Sequence, residues 1–313
     1  MPYKGTPQTF NATINTVVIG TGDAAVTLGG ENVMPLYSFD APIQNRPAIG
    51  VEVEDTGLPG YLPALGEFYA GAETVVDQVV RAAQMDGADF VVLKLASADP
   101  NGQNASVEDC VALAREVAAA CPKPLAIEGC KNIEKDRELF EKIAEALQGQ
   151  NVLLLSAREE NYKAIGAAAG LAYNQKLGAE SAVDINLAKQ LNVLIGQLGV
   201  PSESVVMNLG SAAAGYGFEY VASTMDRVKA AALAQNDAAL QMPVVTPVAS
   251  EAWAVKEAIV SEEDFPEWGP VEERGIQMEI ATAAACLAGG SNAVILKHPE
   301  SVKTISAMIA ALV

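Results

Sequence analysis

The strongest constraint on the fold is a regular alternation of short apolar runs and helical segments, from residue 48 to the end of the chain. Eight runs have the apolar, β-rich composition of buried parallel strands, and a segment with helical spacing follows each one. Eight strand–helix units are the repeat of a (β/α)8 barrel. The runs are Ala48–Val53, Phe90–Leu95, Leu125–Glu128, Val152–Leu155, Leu177–Ala182, Val205–Leu209, Val244–Val248 and Ala293–Leu296.

The alternative is a doubly wound open sheet, which usually has fewer strands and a glycine-rich first turn. Here the first strand runs into Glu52-Val53-Glu54-Asp55, without a GxGxxG motif. Helix signals agree with the barrel, because Ser106 and Asp184 stand where N-caps are needed and Gly149 follows an apolar helical pattern. We therefore predict an α/β protein with a (β/α)8 TIM barrel.

Two further β-rich segments precede the barrel and predict an N-terminal β-hairpin extension. They are Thr13–Ile19 and Ala24–Leu28, and they flank the turn residues Gly20-Thr21-Gly22-Asp23. Such a hairpin could plug the bottom of the barrel or contact a partner.

We expect one domain over residues 1–313, with the hairpin and lead-in at 1–46 and the barrel at 47–313. Residues 260–270, with the sequence VSEEDFPEWGP, are predicted to form a long loop inserted after the seventh strand.

The net charge of -19 excludes some classes of partner. So negative a surface repels nucleic acid and anionic membranes. The N-terminus lacks the apolar core of a signal peptide, and no apolar run reaches the length that spans a bilayer. We therefore expect a cytoplasmic protein.

Cysteine and histidine usage argues against a metal or cluster site in this chain. Four cysteines are scattered without CxxC spacing, and there is one histidine, His298. An iron–sulfur cluster or a structural zinc held by this chain alone is therefore not expected. Cys130 follows a strand, and a buried inert thiol is the favoured interpretation.

In a (β/α)8 barrel, ligands bind where the strands end at their carboxyl termini. Polar residues follow every apolar run, so this mouth is predicted to bind a polar ligand of some size. In chain order they are Glu52, Glu54, Asp55, Lys94, Ser97, Asp99, Glu128, Cys130, Ser156, Asn161, Tyr162, Ser181, Asp184, Asn186, Asn208, Gly215, Tyr216, Gly217, Thr246, Glu251, Trp253 and His298.

Several of these residues allow more than one interpretation. Lys94 could be a Schiff-base lysine, but a lysine paired with Glu52 or Glu128 is the commoner situation. Glu52 and Glu54 could form an acid/base pair, or could pair with Lys94 and Arg46. His298 lies before Pro299-Glu300 and is predicted to cap the last helix, since no nucleophile elbow accompanies it.

The glycine-rich segment Gly210-Ser211-Ala212-Ala213-Ala214-Gly215-Tyr216-Gly217 is the most distinctive stretch. It lacks the Lys-Ser/Thr ending of a P-loop. Glycines at a strand end let the backbone approach a large flat ligand, while a flexible connection between strand and helix is the alternative.

Several collinear segments together resemble one known family. They are Asn45–Val53, Gly87–Asp89 with Leu93–Leu95 and Ala98–Pro100, Glu160–Lys163, Asp184–Asn192, Gly215–Tyr220, Glu251–Trp253 and His298–Glu300. The chain resembles the small (delta/beta-type) subunit of the corrinoid iron–sulfur protein, the methyl carrier of the acetyl-CoA synthase/CO dehydrogenase (Wood–Ljungdahl) pathway of anaerobes.

The resemblance implies a heterodimer in which a large subunit holds the iron–sulfur cluster and a corrinoid (cobalamin), and the barrel mouth covers the corrinoid. It implies methyl transfer from methyltetrahydrofolate, through a separate methyltransferase, to acetyl-CoA synthase/CO dehydrogenase. This chain would supply packing rather than catalytic or metal-binding residues. The residues predicted to contact the corrinoid are Asn208, Gly215, Tyr216, Gly217, Glu219, Asn161, Asp184, Asn186 and Asp99.

Three other functions remain open from the sequence. A methyltetrahydrofolate:corrinoid methyltransferase would bind the pterin itself, with Asp99, Asp184, Asn186 and Asn208 as candidate contacts. An aldolase would use Lys94, and a purely structural subunit would contact no cofactor.

Overall fold

The computed structural model describes residues 5–313, and within that range the predicted barrel is confirmed. Eight parallel strands lie in the order β8-β7-β6-β5-β4-β3-β10-β9. The ends of this order meet, because Met207 pairs with Val244 and its N–H donates to the Pro243 carbonyl at 2.8 Å. The strands are β1 (Val17–Ile19), β2 (Val26–Leu28), β3 (Ala48–Glu54), β4 (Phe90–Lys94), β5 (Leu125–Glu128), β6 (Leu153–Ala157), β7 (Lys176–Glu180), β8 (Val205–Asn208), β9 (Val245–Pro247) and β10 (Ala293–Leu296).

Helices surround the barrel and connect its strands. The side chains of Ser106 and Asp184 cap their helices as predicted. The helices are α1 (Pro63–Phe68), α2 (Val75–Ala82), α3 (Val107–Ala120), α4 (Ile133–Ala146), α5 (Tyr162–Ile165), α6 (Ile185–Gln197), α7 (Phe218–Leu233), α8 (Val248–Ala252), α9 (Lys256–Ile259), α10 (Val271–Gly289) and α11 (Pro299–Leu312).

Two connections differ from regular α-helices. The chain continues from α5 into a π-helix at Gly166–Ala172, where the sequence GAAAGLA carries no amphipathic pattern. The insertion at 260–270 is a loop, as predicted, with one 3₁₀ turn at Pro266–Trp268. None of the helices formed by residues 5–313 combines the length and apolarity needed to cross a bilayer.

The N-terminal hairpin closes the bottom of the barrel. Val17, Ile19 and Leu28 are fully buried, and they pack with inward-facing strand residues such as Phe90. The Asn151 side chain donates to the carbonyls of Val18 and Gly20, which fixes the hairpin to the barrel rim. The plug predicted as one of two roles for the hairpin is thus observed, although its paired strands are shorter than the apolar segments.

The strand register brings charged residues together at the opposite end. Glu54 of β3 is aligned with Lys94 of β4, and Lys94 is aligned with Glu128 of β5. Because neighbouring parallel strands end at the same level, their last side chains share one edge of the barrel. The mouth is therefore the place where the charged strand ends meet.

Candidate functional site at the barrel mouth

The carboxyl ends of the strands surround a cavity of about 200 Å³. In barrels of this type the ligand site lies at this end. The polar side chains that line the cavity are Glu128, Lys131, Asp136, Ser156, Arg158, Glu180, Asn208, Ser211 and Glu251.

An ion-pair cluster of two lysines and two glutamates lies next to this cavity. Lys94 Nζ is 2.8 Å from Glu54 Oε1 and 3.7 Å from Glu52 Oε2. Lys297 Nζ is 3.2 Å from Glu52 Oε1 and 3.3 Å from Glu54 Oε1. The hydroxyl of Ser250 accepts a hydrogen bond from Lys94 and donates one to Glu52. Each lysine therefore contacts both carboxyl groups.

These contacts determine the charge of Lys94. Burial alone would lower its pKa, but the carboxyl groups of Glu52, Glu128 and Glu54 outweigh burial and raise the pKa. The same lysines hold the pKa of Glu54 down at about 2 against the effect of burial. A Schiff-base lysine needs a free amine at neutral pH. Lys94 is an ammonium ion instead, which argues against the aldolase hypothesis.

Glu128 is the unusual carboxyl group of the mouth. Burial, together with the negative charges of Glu52 and Glu180, raises its pKa to about 7, although Lys94 and Lys131 act in the opposite direction. Its Oε2 atom is buried and has no hydrogen-bond partner among residues 5–313. Buried polar atoms in proteins are nearly always paired, so an unpaired carboxyl group on a residue that lines a cavity points to a ligand.

Another part of the cavity wall is a connected polar network. Arg158 Nη2 donates to Glu180 Oε1 at 2.7 Å. The Asn208 amide donates to Ser156 Oγ at 3.0 Å and to Glu180 Oε2 at 3.4 Å, and its Oδ1 accepts from the Gly210 N–H. These bonds fix the orientation of Asn208 at the end of β8 and of Ser156 near the end of β6, on either side of β7.

Comparison with known protein families identifies the family of this chain. The model of the CO dehydrogenase/acetyl-CoA synthase delta subunit family matches residues 16–297, which is most of the chain. The chain belongs to this delta-subunit family.

Its relatives carry the corresponding names. The acetyl-CoA decarbonylase/synthase complex subunit delta of Archaeoglobus fulgidus is 33% identical over 322 residues, covering 97% of this chain and 69% of the relative. The subunit delta 2 of Methanosarcina acetivorans is 33% identical, covering 91% of this chain and 66% of the relative. The chain thus spans about two thirds of the length of these relatives.

Solved structures support the fold of this family member. The dihydropteroate synthase of Yersinia pestis with a sulfonamide drug has a TM-score of 0.58 and 11% identity, covering 85% of this chain and 93% of that chain. The Xanthomonas albilineans enzyme with 4-aminobenzoic acid has a TM-score of 0.57 and 13% identity over the same shares of the two chains. At such identities the likeness establishes the barrel fold alone.

The structure separates the predicted contact residues of the delta-subunit barrel into two groups. Asn208 lines the cavity, and Gly215, Tyr216 and Gly217 form an exposed turn on the rim. Both glycines have positive φ, at +87° and +86°, which other residues adopt only with strain. Tyr216 is half-exposed, and its hydroxyl donates to Glu257 Oε2 at 2.5 Å. Glu219 follows in the exposed first turn of α7.

The second group is engaged in local backbone contacts. Asn161 is buried, with Oδ1 accepting from the Arg158 N–H and its amide donating to the Ile133 carbonyl. Asp184 accepts from the N–H groups of Asn186 and Leu187 as the N-cap of α6. Asp99 accepts from the N–H of Asn101 in the loop after β4. These residues lie around the mouth but do not converge on its cavity.

Three charged side chains of the mouth were not found from the sequence: Arg158, Glu180 and Lys297. Glu180 is the last residue of β7, whereas the apolar pattern extended that strand to Ala182. Lys297 follows β10 directly, but only its neighbour His298 was named from the sequence at this strand end. A strict count of the last residue of each strand would have found Glu180.

The remaining predictions for single residues have clear outcomes. His298 caps α11, with Nδ1 accepting from the Glu300 N–H at 3.2 Å, as predicted. Arg46 pairs with Asp89 at 2.6 Å, so the hypothesis that it pairs with Glu52 or Glu54 was wrong. Cys130 is only partly buried, so that part of its prediction was wrong, but burial and the nearby Asp136 raise the pKa of its thiol to about 11, as expected of an inert thiol. In the part of the chain that the structure describes, no three His, Cys, Asp or Glu side chains are grouped to hold a metal.

Proposed function

We propose that this chain is the small subunit of a corrinoid iron–sulfur methyl carrier, and that its mouth covers the corrinoid held by a larger subunit. The observation that carries the proposal is the family match over residues 16–297. The methyl group would come from methyltetrahydrofolate through a separate methyltransferase and pass to acetyl-CoA synthase/CO dehydrogenase. The proposed location is the cytoplasm.

The residues of the mouth fit a corrinoid. Such a macrocycle is flat and broad, and its periphery carries amide side chains. The mouth contains a polar cavity lined by Glu128, whose buried Oε2 has no hydrogen-bond partner within residues 5–313. On the rim, the turn with Gly215 and Gly217 lets a flat ligand surface approach the backbone closely. When bound, the corrinoid supplies the methyl-carrying chemistry through its metal.

The role of this chain is then to cover the corrinoid and to orient it. Asn208 and Glu128 would contact the periphery of the macrocycle from inside the mouth, and Gly215, Tyr216 and Gly217 would contact it from the rim. Beside the cavity, Glu52, Glu54, Lys94 and Lys297 are held in their mutual ion pairs, so the charges of this cluster balance one another. A cover of this kind excludes water from the reactive face.

The alternative, a methyltransferase that grips the pterin itself, has less support. It requires carboxylate and amide groups that converge on a pterin, but Asp99 and Asp184 accept from their own backbone. Pockets for whole small-molecule ligands usually measure roughly 300–1,000 Å³. The mouth cavity is smaller, at about 200 Å³.

The test is co-expression with the larger corrinoid subunit under anaerobic conditions. We expect a heterodimer with corrinoid absorbance, whereas this chain alone stays colourless. Tyr216→Ala should lower the corrinoid retained by the purified heterodimer at least several-fold, because it removes an aromatic contact from the rim. The matched control is Tyr37→Ala, a tyrosine of similar exposure in the lead-in at the other end of the barrel.

Two results would contradict the proposal. One is a colourless complex, or no complex, when both subunits are folded. The other is methyltetrahydrofolate binding by this chain alone in calorimetry, which would favour the methyltransferase.

A further inference from the structure

The mouth cavity holds a hydrogen-bond acceptor that the protein leaves without a donor. Glu128 is 5% exposed, and its Oε2 has no partner within residues 5–313. The ammonium group of Lys94, on the neighbouring strand, donates to Glu54 and Ser250 instead. Leaving a buried carboxyl oxygen unpaired is costly, so this position favours a ligand that brings an N–H or O–H group.

The adjacent strand supplies a donor. Ser156 is 6% exposed and lines the same cavity, and its Oγ already accepts a hydrogen bond from the Asn208 amide. A hydroxyl carries one proton of its own, which it can donate elsewhere. No described residue accepts that proton in a hydrogen bond of the network around Asn208, so it is available to an acceptor in the cavity.

A primary carboxamide matches this pair of groups. Its N–H donates to Glu128 while its carbonyl accepts from Ser156. A carboxylate has no N–H to donate to Glu128, and an ammonium group has no oxygen to accept the Ser156 proton. We infer that Glu128 and Ser156 form a recessed subsite for a primary carboxamide, and that the group bound there is an amide arm of the corrinoid. The second half of this inference rests on the proposed function.

The size of the cavity agrees with an arm rather than a whole ligand. A cavity of about 150 Å³ is enough to hold benzene. The mouth cavity, at about 200 Å³, therefore has room for a propionamide arm, which is slightly smaller than benzene, and for a water beside it. A pterin has about twice as many non-hydrogen atoms as benzene, so this cavity would not enclose it as it would enclose the arm.

The experiment compares two corrinoids that differ in their arms. Dicyanocobinamide carries primary amides, and the methyl ester of cobyrinic acid carries esters, which accept hydrogen bonds but do not donate them. Both are titrated against the heterodimer prepared free of corrinoid, with absorbance as the readout. We expect the wild type to bind cobinamide about tenfold or more tightly than the methyl ester, because one hydrogen bond to a buried charged group contributes a difference of that size.

Variants of Glu128 test whether this residue causes the preference for cobinamide. Glu128→Leu, which removes the acceptor, should reduce the preference to about twofold or less, and Glu128→Gln, which keeps an acceptor oxygen, should retain most of it. The matched control is Glu138→Leu on the exposed face of α4, where the preference should stay unchanged. Equal preference in wild type and Glu128→Leu would overturn the subsite while leaving the proposed function standing.

Two other outcomes are also decisive. If neither corrinoid binds any form of the heterodimer, the proposed function fails and the subsite assignment fails with it. If Glu128→Leu instead weakens the association of the two subunits in the absence of corrinoid, the cavity takes a side chain of the partner, and the amide-arm assignment is wrong.

Discussion

Glu128 combines three properties that rarely occur in one carboxyl group. It is buried, it faces other carboxyl groups, and one of its oxygens has no partner in residues 5–313. Proteins normally tolerate such a group where a ligand or a reaction uses it. The pKa of about 7 means that the charge of Glu128 changes in the physiological range.

This shift predicts a pH dependence of stability. Because the pKa of Glu128 rises from 4.5 to about 7 on folding, the folded state binds the extra proton between these values. The stability that it contributes is complete below pH 4.5 and is lost as the pH rises through about 7. Glu128→Gln cannot ionise, so it should be more stable than wild type at pH 8 by up to about 3 kcal/mol, with little of this gain at pH 5.

Urea unfolding of both proteins at pH 5 and pH 8 measures this difference. Glu138→Gln, at an exposed position of α4, is the control and should show no such pH-dependent gain. A stability difference between Glu128→Gln and wild type that is the same at both pH values would contradict the shifted pKa.

At the scale of the elements, variants of the N-terminal hairpin test whether it closes the bottom of the barrel. Ile19 of β1 points into the barrel and is fully buried, whereas its neighbour Val18 points outward and is 38% exposed. Ile19→Ala should therefore lower the free energy of unfolding by about 2–5 kcal/mol, because it leaves a cavity in a packed core. Val18→Ala should change it by less than about 1 kcal/mol.

Chemical denaturation of the two variants gives both values. Similar losses for Ile19→Ala and Val18→Ala would mean that the hairpin does not pack as a plug, and that the bottom of the barrel is closed in another way.

The elements also show how far the sequence can be interpreted. Apolar runs predicted β5 and β10 with their observed limits, since a buried strand must be apolar over its length. The π-helix at Gly166–Ala172 was missed, because small residues carry little periodic signal. The ion pairs of Lys297 with Glu52 and Glu54 were missed as well, since they join the first and last barrel strands and depend on closure and register.

At the scale of the whole molecule, a single domain over residues 1–313 stays a prediction. Residues of β1 and β2 share one buried cluster with residues of the barrel strands, including β4, β8 and β10. We expect thermal unfolding to give one transition, with near-UV and far-UV circular dichroism coinciding. Two separated transitions would show that the lead-in at 1–46 unfolds independently of the barrel at 47–313.

The sequence predicted the barrel and the end at which the site lies, because both follow from the order of apolar runs. It did not predict which polar residues converge on the cavity. Asp184 and Asn161 follow strands as Asn208 does, yet one caps a helix and the other holds a loop. Only the local backbone decides between these roles, and a single sequence does not contain that geometry.

The hairpin under the barrel makes the central cavity blind-ended. A ligand that enters between the strand tips cannot leave through the far side, where Val17, Ile19 and Leu28 fill the opening. A ligand must therefore enter and leave through the same opening, the barrel mouth. If a partner covers the mouth as proposed, it has to separate from the barrel whenever a ligand is exchanged, and the rate of exchange then depends on how fast the two surfaces separate and meet again.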